Sequence, residues 1–152
     1  MMSKTLVLSL GNMLRGDDGI GAAVLEQLET QAVPDTVTLI EGGTPGLETL
    51  LLLQGYDRVI IIDAADMDCE PGVWRRFTPD EVRLQSRDLH LRGTLHYAGL
   101  AEALNLGEAL HMLPPEIIIY GIQPRAIDWD IGLSPELVAV IPAVCDNIME
   151  IL

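Results

Sequence analysis

Three places in the chain carry side chains able to hold a metal ion or move a proton. The first is the pair Asp17-Asp18, inside the stretch L-S-L-G-N-M-L-R-G-D-D-G-I-G from Leu8 to Gly21. The second is Asp63, which closes the apolar run R-V-I-I-I-D that begins at Arg58. The third is His96, just after Thr94-Leu95, where a helical pattern opens. Two carboxylates and an imidazole from three different elements suit a borderline divalent ion such as nickel, zinc or cadmium. Three protein ligands also leave coordination positions open for substrate or water. A second chemistry uses the same acids: Asp18 and Asp63 as a carboxylate pair with separated pKa values doing acid–base work.

Each of these residues also has a plainer use. Asp17 or Asp18 is expected to N-cap the helix that follows, because an aspartate there accepts backbone N–H bonds and suits the dipole. As a mere cap, Asp17 should tolerate replacement by Asn. Capping takes one acid, however, and a second beside it costs repulsion unless a cation sits nearby. Asp63 has a plain use as a loop-tying acceptor, and a lone histidine in a first helical turn is more often structural. His90 and His111 read as surface or loop residues.

The elements that must position these side chains follow from the apolar pattern. Lys4 to Leu10 reads as a first strand and Ile20 to Gln31 as a first helix, broken by Pro34-Asp35. Thr36 to Glu41 is a β-branched second strand that ends in the backbone-rich loop G-G-T-P-G, Gly42 to Gly46. Leu47 to Gln54 reads as a helix with Thr44 as cap and Pro45 in its first turn. Arg58 to Asp63 reads as a central parallel strand, buried on both faces. Gly72 to Thr78 is a more polar strand nearer an edge, and Pro79 to Leu84 a short helix. Ser86 to Gly93 has no period and is expected to be mobile. A helix follows, with Thr94 as its cap. Glu116 to Ile122 is the last strand, and Ser134-Pro135-Glu136 opens a last helix that Pro142 should kink. Five strands with helices on both faces predict an α/β fold, a single-domain three-layer α/β/α sandwich over residues 1–152 around a mostly parallel five-stranded sheet. Right-handed crossovers gather the ends of the first three strands on one edge. That edge collects Asp17, Asp18, the Gly42-Gly43-Thr44 loop and Asp63, with His96 if its helix also starts there.

Composition narrows the partners. The 152 residues carry a net charge of −14, which disfavours nucleic acid and anionic membrane surfaces and permits metal cations. No apolar run approaches a membrane span, and the start lacks the pattern of a signal peptide, so a cytoplasmic location is expected. The two cysteines, Cys69 and Cys145, are far apart and read as reduced thiols, Cys145 in the core. Neither these nor any serine sits with a base in a way that suggests a covalent nucleophile. A dinucleotide-binding reading has one feature in its favour, Glu41 at the end of strand two. Gly16, Gly19 and Gly21 do not give the G-x-G-x-x-G spacing, and two acids at the phosphate position oppose it.

The motifs add what spacing alone does not. The opening L-V-L-S-L-G-N-M-L-R-G-D-D-G-I-G closely resembles that of the hydrogenase maturation endopeptidases, proteases that trim the C-terminal tail from the large subunit of [NiFe] hydrogenases. The likeness continues through E-G-G-T-P-G at 41–46, I-I-I-D-A at 60–64, H-Y-A-G-L at 96–100, Y-G-I-Q-P at 120–124 and G-L-S-P at 132–135. It covers nearly the whole chain. The family's metal-binding triad is an acid in the first loop, an aspartate ending strand three and a histidine opening the later helix. By resemblance these are Asp18, Asp63 and His96, which act as metal ligands and catalytic residues. The first position is Asp or Glu in the family, and here it is Asp.

The resemblance implies an endopeptidase of aspartic type that reads nickel already installed in the large-subunit precursor and owns no permanent cofactor. Gly42, Gly43 and Thr44 would offer backbone groups to the extended substrate. Whether the attacking water is polarised by the metal or activated by Asp18 or Asp63 is left open by the residues themselves. A non-catalytic chaperone that binds nickel or the precursor shares the same triad and is the alternative.

Overall fold

The run Val59 to Ile62 is too apolar to leave either face in water, and the fold places it at the centre of the sheet. In the computed structural model this strand, β3 (Arg58–Ala64), lies between β1 (Thr5–Ser9) and β5 (Glu116–Ile122). Beyond β1 lies β2 (Val37–Glu41), and beyond β5 lies β4 (Trp74–Phe77). The structure describes the backbone of residues 3–86 and 95–152, and side chains for all of these but 83–86 and 95–98. The pairs β1–β2, β1–β3 and β3–β5 are parallel, and only the edge strand β4 runs antiparallel to its neighbour.

Alternation along the central strands sends side chains to two cores. Leu6, Leu8, Ile61 and Ile119 face one layer, with Leu53 at the end of α2 (Leu47–Leu52) and Leu100 and Leu104 of α4 (Leu95–Ala109). Val7, Ile60, Ile62 and Tyr120 face the other. They pack on Val24 and Leu28 of α1 (Ile20–Glu29) and on Val144 and Ile148 of α5 (Pro135–Ile151). A short α3 (Pro79–Ser86) adds Val82 to the first core. This is the expected three-layer sandwich with a mostly parallel sheet.

The chain leaves β1 toward β2 on one side and returns to β3 on the other. The strand order therefore reverses between β1 and β3, and such sheets bind ligands at the carboxyl end of that switch point.

Several boundaries differ from the sequence reading. The first helix stops at Glu29, where the Thr30 hydroxyl donates back to the Gln27 carbonyl at 2.7 Å. The second helix starts later than expected. Its cap is the extended Gly46 rather than Thr44, and Thr49 Oγ1 accepts from Gly46 N–H at 3.0 Å. Pro45 thus lies before the helix instead of in its first turn. The fourth strand shortens to Trp74–Phe77, and β3 runs one residue past Asp63. The segment from Arg87 to Thr94, which includes His90, most of the stretch expected to be mobile and the expected Thr94 cap, lies outside the described residues. Among the described residues no helix is long and apolar enough to cross a membrane.

Candidate active site

Backbone hydrogen bonds draw the loops after the first three strands into one unit. Leu10 N–H donates to Ile62 O at 2.9 Å, Gly42 N–H to Ser9 O at 2.7 Å, and Gly11 N–H to Gly43 O at 2.8 Å. Two glycines are required for this closeness. Gly11 has φ +118°, and a Cβ there would lie 2.2 Å from the Asp18 carbonyl oxygen. A Cβ on Gly21 would lie 2.6 Å from Ile62 O and 2.9 Å from Leu10 O, so α1 starts directly against the ends of β1 and β3.

Asp18 lies in a single 3₁₀ turn, Gly16–Gly19, that runs straight into α1. The cap of α1 is Gly19, and no side chain caps the helix. The expectation that Asp17 or Asp18 caps it is therefore corrected. The reason is local: the preceding turn already supplies acceptors, Ile20 N–H bonding to the Asp17 carbonyl. Both carboxylates are left for other partners. Asp18 is fully buried, and its Oδ2 accepts from Asn12 N–H at 2.8 Å.

Asp17 has a different task. Its Oδ2 accepts from Arg125 N–H at 2.8 Å, Ala126 N–H at 3.1 Å and the Ser134 hydroxyl at 2.7 Å, and its Oδ1 accepts from Ser134 N–H at 2.6 Å. Gly16 N–H and Asp17 N–H in turn donate to Asp130 O and Ala126 O. The first loop and the 124–134 loop are thus bonded into one piece through a carboxylate that is 1% exposed. Burial pushes the Asp17 carboxyl up, but the hydrogen bonds from Ser134, Ala126 and Arg125 outweigh it and hold the group below its ordinary value. Ser134 occupies the N-cap position of α5, with Pro135 as the first helical residue, as expected. Its hydroxyl is used on Asp17 and not on its own helix.

Asp63 is 3% exposed and pairs in register with Gly121 of β5. Strand alternation places it on the face of Ile61 and Ala65, the face that α2 and α4 cover. The start of α4 is fixed there by Gly99, whose Cβ position lies 2.5 Å from Pro45 O. His96 is one turn earlier on that helix, so its backbone stands beside the 42–46 loop, while its side chain lies outside the described residues. Gly42 and Gly43 are half-buried and Thr44 is exposed. The loop's Gly42 N–H and Gly43 C=O already bond within the fold. Among the described side chains, which do not include His96, no group of three His, Cys, Asp or Glu gathers as metal ligands.

Gln123, in the Y-G-I-Q-P motif, ties down the loop after β3. It is 7% exposed at the end of β5. Its Oε1 accepts from Met67 N–H at 2.6 Å, and its Nε2 donates to Asp66 Oδ1 at 3.2 Å. Its backbone N–H and C=O bond Val73 and Gly72. One amide therefore holds the loop that leaves Asp63. The available signal was a polar residue between a buried strand and a proline. Gln123→Leu should cost about 1–3 kcal/mol, because Met67 N–H loses its acceptor in a buried place. Urea unfolding at neutral pH measures it.

The thiols are not poised for catalysis. Cys145 is fully buried, and burial with the nearby Asp146 pushes its pKa up to about 11. Cys69 is half-buried, its Sγ 3.5 Å from Gln123 Oε1.

The arrangement has relatives. A model of the hydrogenase maturation protease family matches residues 22–151. The Escherichia coli hydrogenase 2 maturation protease is 30% identical over 151 residues, which span 98% of this chain and 90% of the relative. The chain belongs to the hydrogenase maturation protease family. It is accordingly a peptidase, a hydrolase. The hydrogenase expression/formation protein HupD of Bradyrhizobium diazoefficiens is 35% identical over 135 residues, 88% of this chain and 69% of that protein. Among solved structures, the hydrogenase maturating endopeptidase HybD from E. coli superposes with a TM-score of 0.87. That match has 30% identity and covers 98% of this chain and 91% of that one. The five-stranded sandwich described above is thus the fold of a hydrogenase maturation protease.

Proposed function

We propose that this peptidase removes a short C-terminal peptide from the nickel-loaded precursor of a [NiFe] hydrogenase large subunit, in the cytoplasm. Asp18, Asp63 and His96 complete the coordination of the nickel that the precursor brings, and so dock it and select it. The metal is part of the substrate, and the protease contributes ligands and geometry. Hydrolysis breaks the scissile amide by attack of water. The water's oxygen joins the scissile carbonyl carbon as the C–N bond breaks, and its proton passes through a carboxylate, Asp18 or Asp63, to the departing nitrogen, which leaves as the amine of the tail. The Gly42-Gly43-Thr44 loop lines the path of the extended substrate through the backbone groups not already bonded within the fold.

The observation that supports this reading is that two buried carboxylates, Asp18 and Asp63, lie at the carboxyl ends of the adjacent strands β1 and β3 that flank the switch point. The loop that carries Asp18 is hydrogen-bonded to the strand that carries Asp63, through Leu10 N–H to Ile62 O, and to the 42–46 loop, beside which α4 begins.

The test is the intact mass of a large-subunit precursor after incubation with this protein, with and without nickel loaded. Loss of a short C-terminal peptide only from the nickel-loaded form is the expected result. Cleavage regardless of nickel would retain the protease and remove the metal's role in recognition. No cleavage of a cognate loaded precursor would point to a binding chaperone instead.

A further inference from the structure

Beside the buried acids the surface is unusually apolar. Met13 and Leu14 are 52% and 55% exposed on the loop that carries Asp18, and Trp129 and Ile131 are each 77% exposed on the loop that Asp17 ties to it. The two loops act as one body. Gly16 N–H donates to Asp130 O, four hydrogen bonds reach the Asp17 carboxylate, and the Arg15 guanidinium stacks 4.9 Å above the Trp129 ring. Among the described residues Arg15 forms no salt bridge, and its guanidinium lies over the indole face. Other large apolar side chains, such as Leu47, Leu51, Leu110 and Val138, are exposed elsewhere, whereas these four sit on two loops joined by buried hydrogen bonds. Trp, Met and Arg on a rigid support are the composition of an interface centre.

We propose that Met13, Leu14, Arg15, Trp129 and Ile131 form a docking platform for an apolar segment of the protein substrate next to the scissile bond. The inference rests on the peptidase reading above and names the surface by which that substrate is held. The occupant follows from position and charge. Met13 and Leu14 stand on the loop that carries Asp18, and Met13 packs against Gly19 next to it, its Cα 3.1 Å from the Cβ position there, so a polypeptide held on these side chains lies alongside the candidate site. A second copy of this chain seated here would cover its own candidate site. Asp128 and Asp130 flank the platform on a chain of net charge −14, which repels an anionic lipid surface. The Arg15 fork is placed to take backbone carbonyls or a carboxylate of the segment once its apolar side chains meet the indole.

The experiment measures both binding and processing of a nickel-loaded large-subunit precursor. It compares the natural chain with Trp129→Ser/Ile131→Ser and, independently, Met13→Ser/Leu14→Ser. Each double variant should weaken precursor binding and raise KM about 10- to 30-fold, with kcat within about twofold. Thermal unfolding confirms that each remains folded. The two pairs lie on different loops, so agreement between them excludes a local folding defect. Unchanged binding and KM in both variants, with the natural chain processing normally, overturns the platform and leaves the peptidase reading intact. A natural chain that binds through the platform but never cleaves supports the platform and overturns the peptidase reading. A natural chain that neither binds nor cleaves overturns both. A dimer that becomes a monomer in the variants, with KM unchanged, reassigns the surface to self-association and also overturns the platform.

Discussion

Asp18→Asn should reduce processing of a nickel-loaded precursor by about a thousandfold or more while leaving the protein folded. The carboxylate is fully buried, and its Oδ2 accepts from Asn12 N–H at 2.8 Å. Asparagine keeps one acceptor oxygen for that bond, so the loop retains its shape. It removes the negative charge that would ligate nickel or take the proton of the attacking water. Unfolding free energy should therefore stay within about 1 kcal/mol of the natural chain. Asp18→Ala is a poorer test, since it also deprives a half-buried N–H of its acceptor. Asp63→Asn and His96→Ala belong to the same expectation. Intact mass of the precursor and urea unfolding of the variant are measured together. Processing at the natural rate by the Asp18→Asn or His96→Ala variant would show that the assignment of the site is wrong.

Asp17→Ala should do the reverse, damaging stability first. Three backbone N–H groups and one hydroxyl converge on this 1%-exposed carboxylate, and alanine leaves all four without their acceptor. Contributions of this kind do not add fully, and the expected cost is about 3–4 kcal/mol, a large fraction of a small domain's stability. Asp17→Asn, which a capping role would tolerate, should still cost about 2 kcal/mol. It replaces one acceptor oxygen with an NH₂ group that must face a donor.

A pH signature accompanies the loss. The hydrogen bonds hold the folded-state pKa of Asp17 below the ordinary value of 3.8, so the unfolded chain takes up its proton first as pH falls. The stabilisation is complete above that ordinary value and disappears as pH drops through the lower folded value. The natural chain should consequently lose more stability than Asp17→Asn between about pH 4 and about pH 2. Circular dichroism of urea unfolding at a series of pH values reads the difference. Parallel acid curves for the two proteins would show that Asp17 does not carry this linkage. Because Asp17 also joins the loops that bear Asp18 and Trp129, its variants should lose processing as a consequence of loosened structure. That loss should be partly restored by stabilising conditions, unlike the loss from Asp18→Asn.

Much of the fold is legible in local pattern because burial acts locally. Val59 to Ile62 must be buried on both faces, which alone makes β3 central. The polar W-R-R-F strand belongs at an edge, and the structure puts it there, antiparallel. Boundaries were less legible. Whether a helix begins at Thr44 or Gly46 depends on which backbone N–H groups find partners, and Thr49 decided that from within the helix. The site divides along the same line. The placement of Asp18 after the first strand and Asp63 at the end of the third already assigns both to one edge of the sheet, since every loop at the carboxyl end of a parallel sheet shares that edge, and His96 was expected there only if its helix starts at that edge.

The sequence by itself determined the layers, the parallel core, the edge at which the acids collect and, through its motifs, the family. It could not divide labour between two adjacent aspartates, because Asp17 and Asp18 are the same residue one position apart, and only distant partners tell them apart. Those partners lie more than a hundred residues on, at Arg125, Ala126 and Ser134. The tertiary fold alone brings them within hydrogen-bond reach, making Asp17 a structural tie, whereas the Asp18 carboxylate accepts from Asn12 N–H within its own loop. The same long-range closure raised Trp129 and Ile131 beside Met13 and Leu14. Local pattern gives no reason for the loops that carry these four side chains to be joined, since that follows from hydrogen bonds made across the molecule.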